Sequence, residues 1–298
     1  MSFADAAADN FLHELLASNP QIGQLAWFTV TDKPVDSRQW IQAIMQAGLA
    51  SYGMPSAIPD KTAYLRGLHK LQQVVPQHTL IRRVEQSKDH TVHHWIEESI
   101  HTGQVHFRPL AAIERRAANN HVLSQPLDTL EEEEDHALSQ LLTFIHEAAI
   151  TFTPSDRRRQ IRRWFAKIGS LQMAYAGPVQ FLDESATGLL TALSRAQSDL
   201  GIHLWTVPLT RTEDVIQTLT DSLDTEVTKK TTALLHKVHT LHQTGKDLSS
   251  AQQAALVQQL HDLDQRVQHY STLFGSQLDH LTTQITMAKQ AVRNSLSG

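Results

Sequence analysis

Six cationic side chains fall within eleven positions: Arg157, Arg158, Arg159, Arg162, Arg163 and Lys167. Between them Ile161, Trp164, Phe165 and Ile168 recur at helical spacing, so the run reads as a helix from Arg157 to Ile168 with one apolar stripe. Arg158/Arg162 and Arg159/Arg163 are i,i+4 pairs that share a face and repel unless an anion answers them. Such a patch binds phosphates without reading base sequence. Trp164 belongs to the apolar stripe, and Tyr175 is the nearby aromatic with the chemistry to stack a base. The competing reading pairs these arginines with the acidic run Glu131–Asp135.

Histidine is the other abundant chemical group, with 18 residues. His90, His93, His94, His101 and His106 cluster with Glu97 and Glu98. In a strand, neighbouring side chains point to opposite faces, so His93 and His94 cannot hold one metal. In a helix, His90/His94 and His94/Glu97 would share a face and suit zinc, although no HExxH pattern is present. His236, His239 and His242 step by three, and His261, His269 and His280 are scattered further on; flanking leucines and valines place the first set beside an apolar seam, where it would make association pH-sensitive. Glu132/His136 and His146-Glu147 resemble parts of carboxylate–histidine bundles, but the full ligand set is missing. Phosphate-loop, dinucleotide-binding and nucleophile-elbow motifs are absent. No metal, cofactor or catalytic residue is therefore expected.

The elements that must carry these groups follow from patterning. A short helix is expected over Phe3–Ser18, a strand over Gln24–Thr31, and helices over Arg38–Gly48 and Lys61–Val74. Three strands follow: Thr79–Glu85, Thr91–Glu98 and Gln104–Arg108, with turns at Ser87-Lys88-Asp89 and His101-Thr102-Gly103. Ala111–Ser124 reads as helical or irregular, and Thr129–Ala149 as one helix with an acidic first turn. Beyond the basic helix come strands Leu171–Tyr175 and Val179–Leu182, a helix to Leu200 closed by Gly201, and a strand Ile202–Leu209.

From Thr210 onward the pattern is that of two long amphipathic helices. The first runs to about Gln243, Thr244-Gly245-Lys246-Asp247 turns the chain, and Ser249 or Ser250 caps the second. The second carries Leu256, Leu260, Leu263, Val267, Tyr270, Phe274, Leu278, Leu281 and Ile285, then Ala288 and Val292. Steps of four and three alternate except around Phe274, a stutter at Gly275. One continuous helix of that length spans roughly 65–70 Å, so its seam needs a partner.

The chain has 298 residues, long enough for two modest domains, its net charge is −5, 41% of it is hydrophobic, and it has no cysteine. It has the composition of a folded protein, and any nucleic-acid binding must be local. Cysteine chemistry is excluded. No run of about 18 apolar residues suggests a membrane span, and Met1–Leu16 lacks a basic leader, so a cytoplasmic location is expected.

The stretches RRRQIRRWFAKIG, LQMAYAGPVQFL, TGLLTALSRAQSDLG and IHLWTVPL, with AWFTV and WIQAIMQAGL upstream, resemble an uncharacterised protein family associated with phages and prokaryotic mobile elements. The resemblance implies no activity and no site residue. It implies a role tied to mobile DNA.

The expected fold class is α+β: two small mixed α/β units followed by a long C-terminal antiparallel helical hairpin of coiled-coil character. The expected segments are 1–125, an N-terminal α+β unit; 126–209, a helix plus a second α/β unit with the basic helix; and 210–298, the hairpin. The expected function is that of a non-enzymatic accessory protein. It would form a homo-oligomer or dock a protein partner through the seam from Leu256 to Ile285, and bind DNA or RNA through the basic helix. A purely structural scaffold and a metal-dependent enzyme built on the histidine cluster are the alternatives.

Overall fold

The computed structural model describes residues 20–296, apart from 76–77, 102–103, 175 and 244–248. The helix expected over Phe3–Ser18, the residue Tyr175, and the turns at Thr102-Gly103 and Thr244–Asp247 lie outside the described residues. In chain order the strands are β1 Gln21–Val30, β2 Val35–Asp36, β3 Thr79–Gln86, β4 His90–His101, β5 Gln104–Arg116, β6 Val122–Pro126, β7 Thr151–Phe152, β8 Leu171–Gln172, β9 Gln180–Leu182 and β10 Ile202–Thr210. The α-helices are α1 Ser37–Gln46, α2 Asp60–Val74, α3 Glu132–Ser139, α4 Leu141–Ala149, α5 Pro154–Lys167, α6 Thr187–Arg195, α7 Gln197–Leu200, α8 Glu213–Gln243, α9 Ser250–Phe274 and α10 Asp279–Leu296. The fold is α+β and ends in long helices.

Two compact units emerge. One holds the described residues up to Thr31, Ala47–Tyr52 and everything from Arg158; the other holds Asp32–Gln46 and Gly53–Arg157. This grouping does not follow three consecutive segments, because β1 pairs antiparallel with β10, with Trp27 opposite Trp205.

The Gly53–Arg157 unit is built on an antiparallel sheet in the order β3-β4-β5-β6. Alternation along β4 buries His93 and Trp95. Trp95, Ala111 and Ile113 pack against Tyr64, Leu68 and Leu71 of α2 and Leu138, Leu141 and Phe144 of α3 and α4. Of residues 111–124, expected to be helical or irregular, 111–116 end β5 and 122–124 begin β6, with an irregular turn at 117–121 between them. Pro109 interrupts the strand pattern, but a bulge opposite Trp95 and Ile96 leaves Leu110 over and lets the ladder continue. The single helix expected over Thr129–Ala149 is two, α3 and α4, joined at Gln140. The Tyr64 hydroxyl lies 2.9 Å from His93 Nδ1 and 3.2 Å from the Ile113 carbonyl. Burial, reinforced by the charge of Arg83, pushes the His93 pKa down, so the ring stays neutral.

In the other unit the sheet order is β10-β1-β9-β8. Leu171 and Phe181 from its strands join Leu219, Leu223 and Val227 of α8 and the seam of α9 and α10 in one core. The long second helix expected from Ser250 to the C-terminus is two helices. Gly275 adopts φ 65° and ψ 29°, a left-handed conformation that ends α9. Arg211 donates to the carbonyls of Leu273, at 2.9 Å, and Phe274, at 2.6 Å, which α9 leaves open at its end. After the turn α10 packs against both α8 and α9. The seam is thus covered from within the chain: Leu256, Leu260, Leu263, Val267, Tyr270, Phe274, Leu278, Leu281 and Ile285 are all buried. Each such burial contributes roughly 1.5–3 kcal/mol.

An alanine at position 275 meets both the left-handed backbone and the Arg211 guanidinium, whose Nη2 is 2.8 Å from the added Cβ. Gly275→Ala is expected to cost about 1–2 kcal/mol in denaturant unfolding; an unchanged midpoint contradicts the turn. His93 supplies a pH dependence. Its folded pKa lies below the unfolded value, so its contribution is full above about pH 6.5 and is lost as pH falls through the folded pKa. The urea midpoint should drop between pH 7.5 and 5, and drop less in His93→Gln; equal drops contradict the buried neutral ring.

Candidate anion-binding groove

The basic helix α5 begins on a tight cap. Asp156 Oδ2 accepts from the Thr153 N–H at 2.9 Å and its hydroxyl at 2.8 Å, and Arg66 Nη2 donates to both Asp156 oxygens at 2.9 and 2.7 Å. Burial pushes the Asp156 pKa up, but the Thr153 hydrogen bonds and the Arg66 charge outweigh it and hold the carboxyl below its usual range. Ile161, Trp164 and Phe165 then turn inward and are buried. Phe165 packs edge-to-face on Phe28 of β1, with ring centroids 5.7 Å apart.

This rotation sorts the six cations expected to bind phosphate. Arg157 is fully buried, and its Nη2 donates to the Lys33 carbonyl at 2.5 Å. It belongs to the core and is withdrawn from the binding set. Arg158 and Arg162 line one groove of about 710 Å³. Arg159 and Arg163 are exposed on the adjoining row and are not among that groove's lining residues. Lys167 donates to the Ser51 carbonyl at 3.1 Å and lines a neighbouring cavity.

Three further cations come from helices distant in sequence. Lys229 and Lys230 project from α8 and Arg266 from α9, and all three line the same groove as Arg158 and Arg162. The only carboxylate among the lining residues is Glu226. It accepts from Arg266 at 2.9 and 3.1 Å and from Lys230 at 2.5 Å. Arg266 also donates to the Ser170 carbonyl and lies 5.8 Å from the Tyr270 ring centroid. The pair therefore fixes α9 to α8 and to the loop before β8. Five cations face one carboxylate in a chain of net charge −5, which makes this groove a local positive focus. Among the described residues, no carboxylate is in ion-pair reach of Arg158, Arg162 or Lys229.

A second cavity of about 900 Å³ shares Ala166, Lys230, Ala233 and Arg266 with the groove. Leu234 and Leu263 form apolar wall, and His269 pairs with Asp183 at 2.5 Å on its rim.

The histidines do not converge. His93 faces Tyr64, whereas His94 occupies the next, opposite-facing position of β4. His90 pairs with Glu85 at 2.8 Å, and the His101 side chain lies outside the described residues. His236 and His239 are exposed on α8; His261 contacts Gln265, and His280 lies 3.6 Å from Asp224. His136 contacts Gln140, and Glu147 pairs with Lys70. Among the described residues, no three His, Asp or Glu side chains gather as a metal site requires. No described helix is long and apolar enough to cross a membrane. The nine seam residues from Leu256 to Ile285, expected at an interface with a partner, lie inside the chain's own core.

No curated protein and no solved structure matches the chain. The model of a family of unknown function, DUF6744, matches residues 21–297, and the chain belongs to that family.

Proposed function

We propose that this chain is a non-enzymatic accessory protein that binds nucleic acid through the groove between α5, α8 and α9. The observation that carries the reading is the convergence of Arg158, Arg162, Lys229, Lys230 and Arg266 on one concavity, with Glu226 the one acid among its described lining residues. Cations that converge from three helices neutralise several phosphates at once, and counterion release then drives binding. The resemblance to proteins of phages and prokaryotic mobile elements supports a process on mobile DNA, in the cytoplasm. The apolar seam of α9 and α10 is buried in the chain's own core and leaves little surface for a partner to dock on. The scaffold reading accounts for Arg157 and Arg266, which have internal partners. It leaves Arg158, Arg162 and Lys229 without a role.

With three to five phosphate contacts to a single strand, affinity should fall about 20- to 100-fold between 50 and 200 mM salt. Replacing Arg158, Arg162 and Lys229 together by glutamine should weaken binding and lower the slope of log affinity against log salt by about two to three. Arg159→Gln/Arg163→Gln, on the row outside the groove, should change it far less. Fluorescence anisotropy with labelled oligonucleotides reads both. An unchanged slope in the triple variant, or equal losses in both variants, contradicts the groove assignment.

A further inference from the structure

We infer that the cavity beside the cationic groove holds unpaired nucleobases, so that the ligand is single-stranded nucleic acid rather than a duplex. The inference rests on the nucleic-acid reading of the groove and adds which form of nucleic acid it takes.

The two concavities meet along Ala166, Lys230, Ala233 and Arg266. Ala166 and Ala233 are small and exposed at that junction. A strand laid across it meets two different chemistries. The groove side offers Arg158, Arg162 and Lys229 to the phosphates. On the cavity side half-buried Ile168 gives apolar surface, with Leu234 and Leu263, buried in the core, behind it. At about 900 Å³ it lies within the roughly 300–1,000 Å³ range of sites that enclose small ligands.

Lys167, Lys230, Lys237 and Arg266 also line this side, against Asp183 and Asp262, and beside these charges stand polar groups that suit base edges. Gln259 and Gln265 are exposed on α9 and present both donor and acceptor atoms. Asp262 accepts hydrogen bonds and repels phosphate, yet it suits an exocyclic amino group. The His269 ring, held by Asp183, gives a flat surface for a base to lie against. Duplex DNA keeps its bases stacked and paired and presents only phosphates and groove edges, so it cannot fill such a cavity. An extended strand places phosphates and bases on its two sides at once.

The test is competition, read by anisotropy, against a labelled mixed-sequence single strand on the full-length chain. Three unlabelled competitors of equal length are used: the same strand, its duplex, and an abasic strand with the same phosphates. The abasic strand and the duplex should each compete about tenfold or more weakly than the base-bearing strand. The double substitution Gln259→Ala/Gln265→Ala leaves every groove cation in place; it should bring the base-bearing and abasic strands closer together in affinity. Equal competition by abasic and base-bearing strands overturns the base cavity while the phosphate groove stands. A base preference that persists unchanged in the double variant also overturns it. Failure of every strand to bind at low salt removes the nucleic-acid reading and this inference with it.

Discussion

The reversal of the chain at Gly275 is the constraint on which the bundle depends. A left-handed residue there ends α9, and Arg211 takes up carbonyls at the exposed helix end. The apolar stripe, which would otherwise run on along one rod, folds back so that α10 covers α8 and α9. Burial of the seam then fixes how α8 and α9 present their outer faces. Lys229 and Lys230 come to lie beside Arg266, and all three face the arginines of α5. Five cations separated by up to about a hundred residues would have no reason to converge without that packing.

Convergence of like charges costs energy, and the groove shows how the cost is contained. Glu226 answers Arg266 and Lys230 together, and Arg266 is further held by the Ser170 carbonyl and the Tyr270 ring. Arg266 is thus largely committed to holding the groove wall. Arg158, Arg162 and Lys229 stay at the solvent side, where high dielectric keeps mutual repulsion small and a polyanion can replace small counterions. At the start of the same helix, Arg66, Asp156 and Thr153 fix the first turn through charge-assisted hydrogen bonds. Arg157, in that turn, is spent on structure.

Much of the fold is legible in the sequence where burial repeats at a fixed period. The seam residues from Leu256 to Val292, the turn at Ser87, the Ser249 cap and the Gly201 cap fall where patterning puts them. The break at Gly275 is less legible because two successive steps of four fit a stuttered helix as well as a turn. What separates them is the sign of φ, which hydrophobic periodicity does not encode; Gly275 followed by Asp279 was the available stop-and-start signal. Pro109 hid the second half of β5, since only the bulge at Leu110 makes a proline tolerable there. In the groove, Arg158 and Arg162 could be read from helical spacing. Arg157 could not, because its burial depends on a carbonyl at Lys33, more than a hundred residues away. Lys229, Lys230 and Arg266 carried no local signal, since their meeting with α5 is a product of tertiary packing alone.

The central claim is that the groove is where nucleic acid lies, and photo-crosslinking tests it most directly. A single strand carrying 4-thiothymidine is bound at low salt, irradiated, and the adducts are mapped by mass spectrometry. Adducts should concentrate in peptides from α5 and from the facing stretches of α8 and α9 around Lys229 and Arg266. Adducts confined to Gly53–Val122, or spread evenly over the surface, would contradict it.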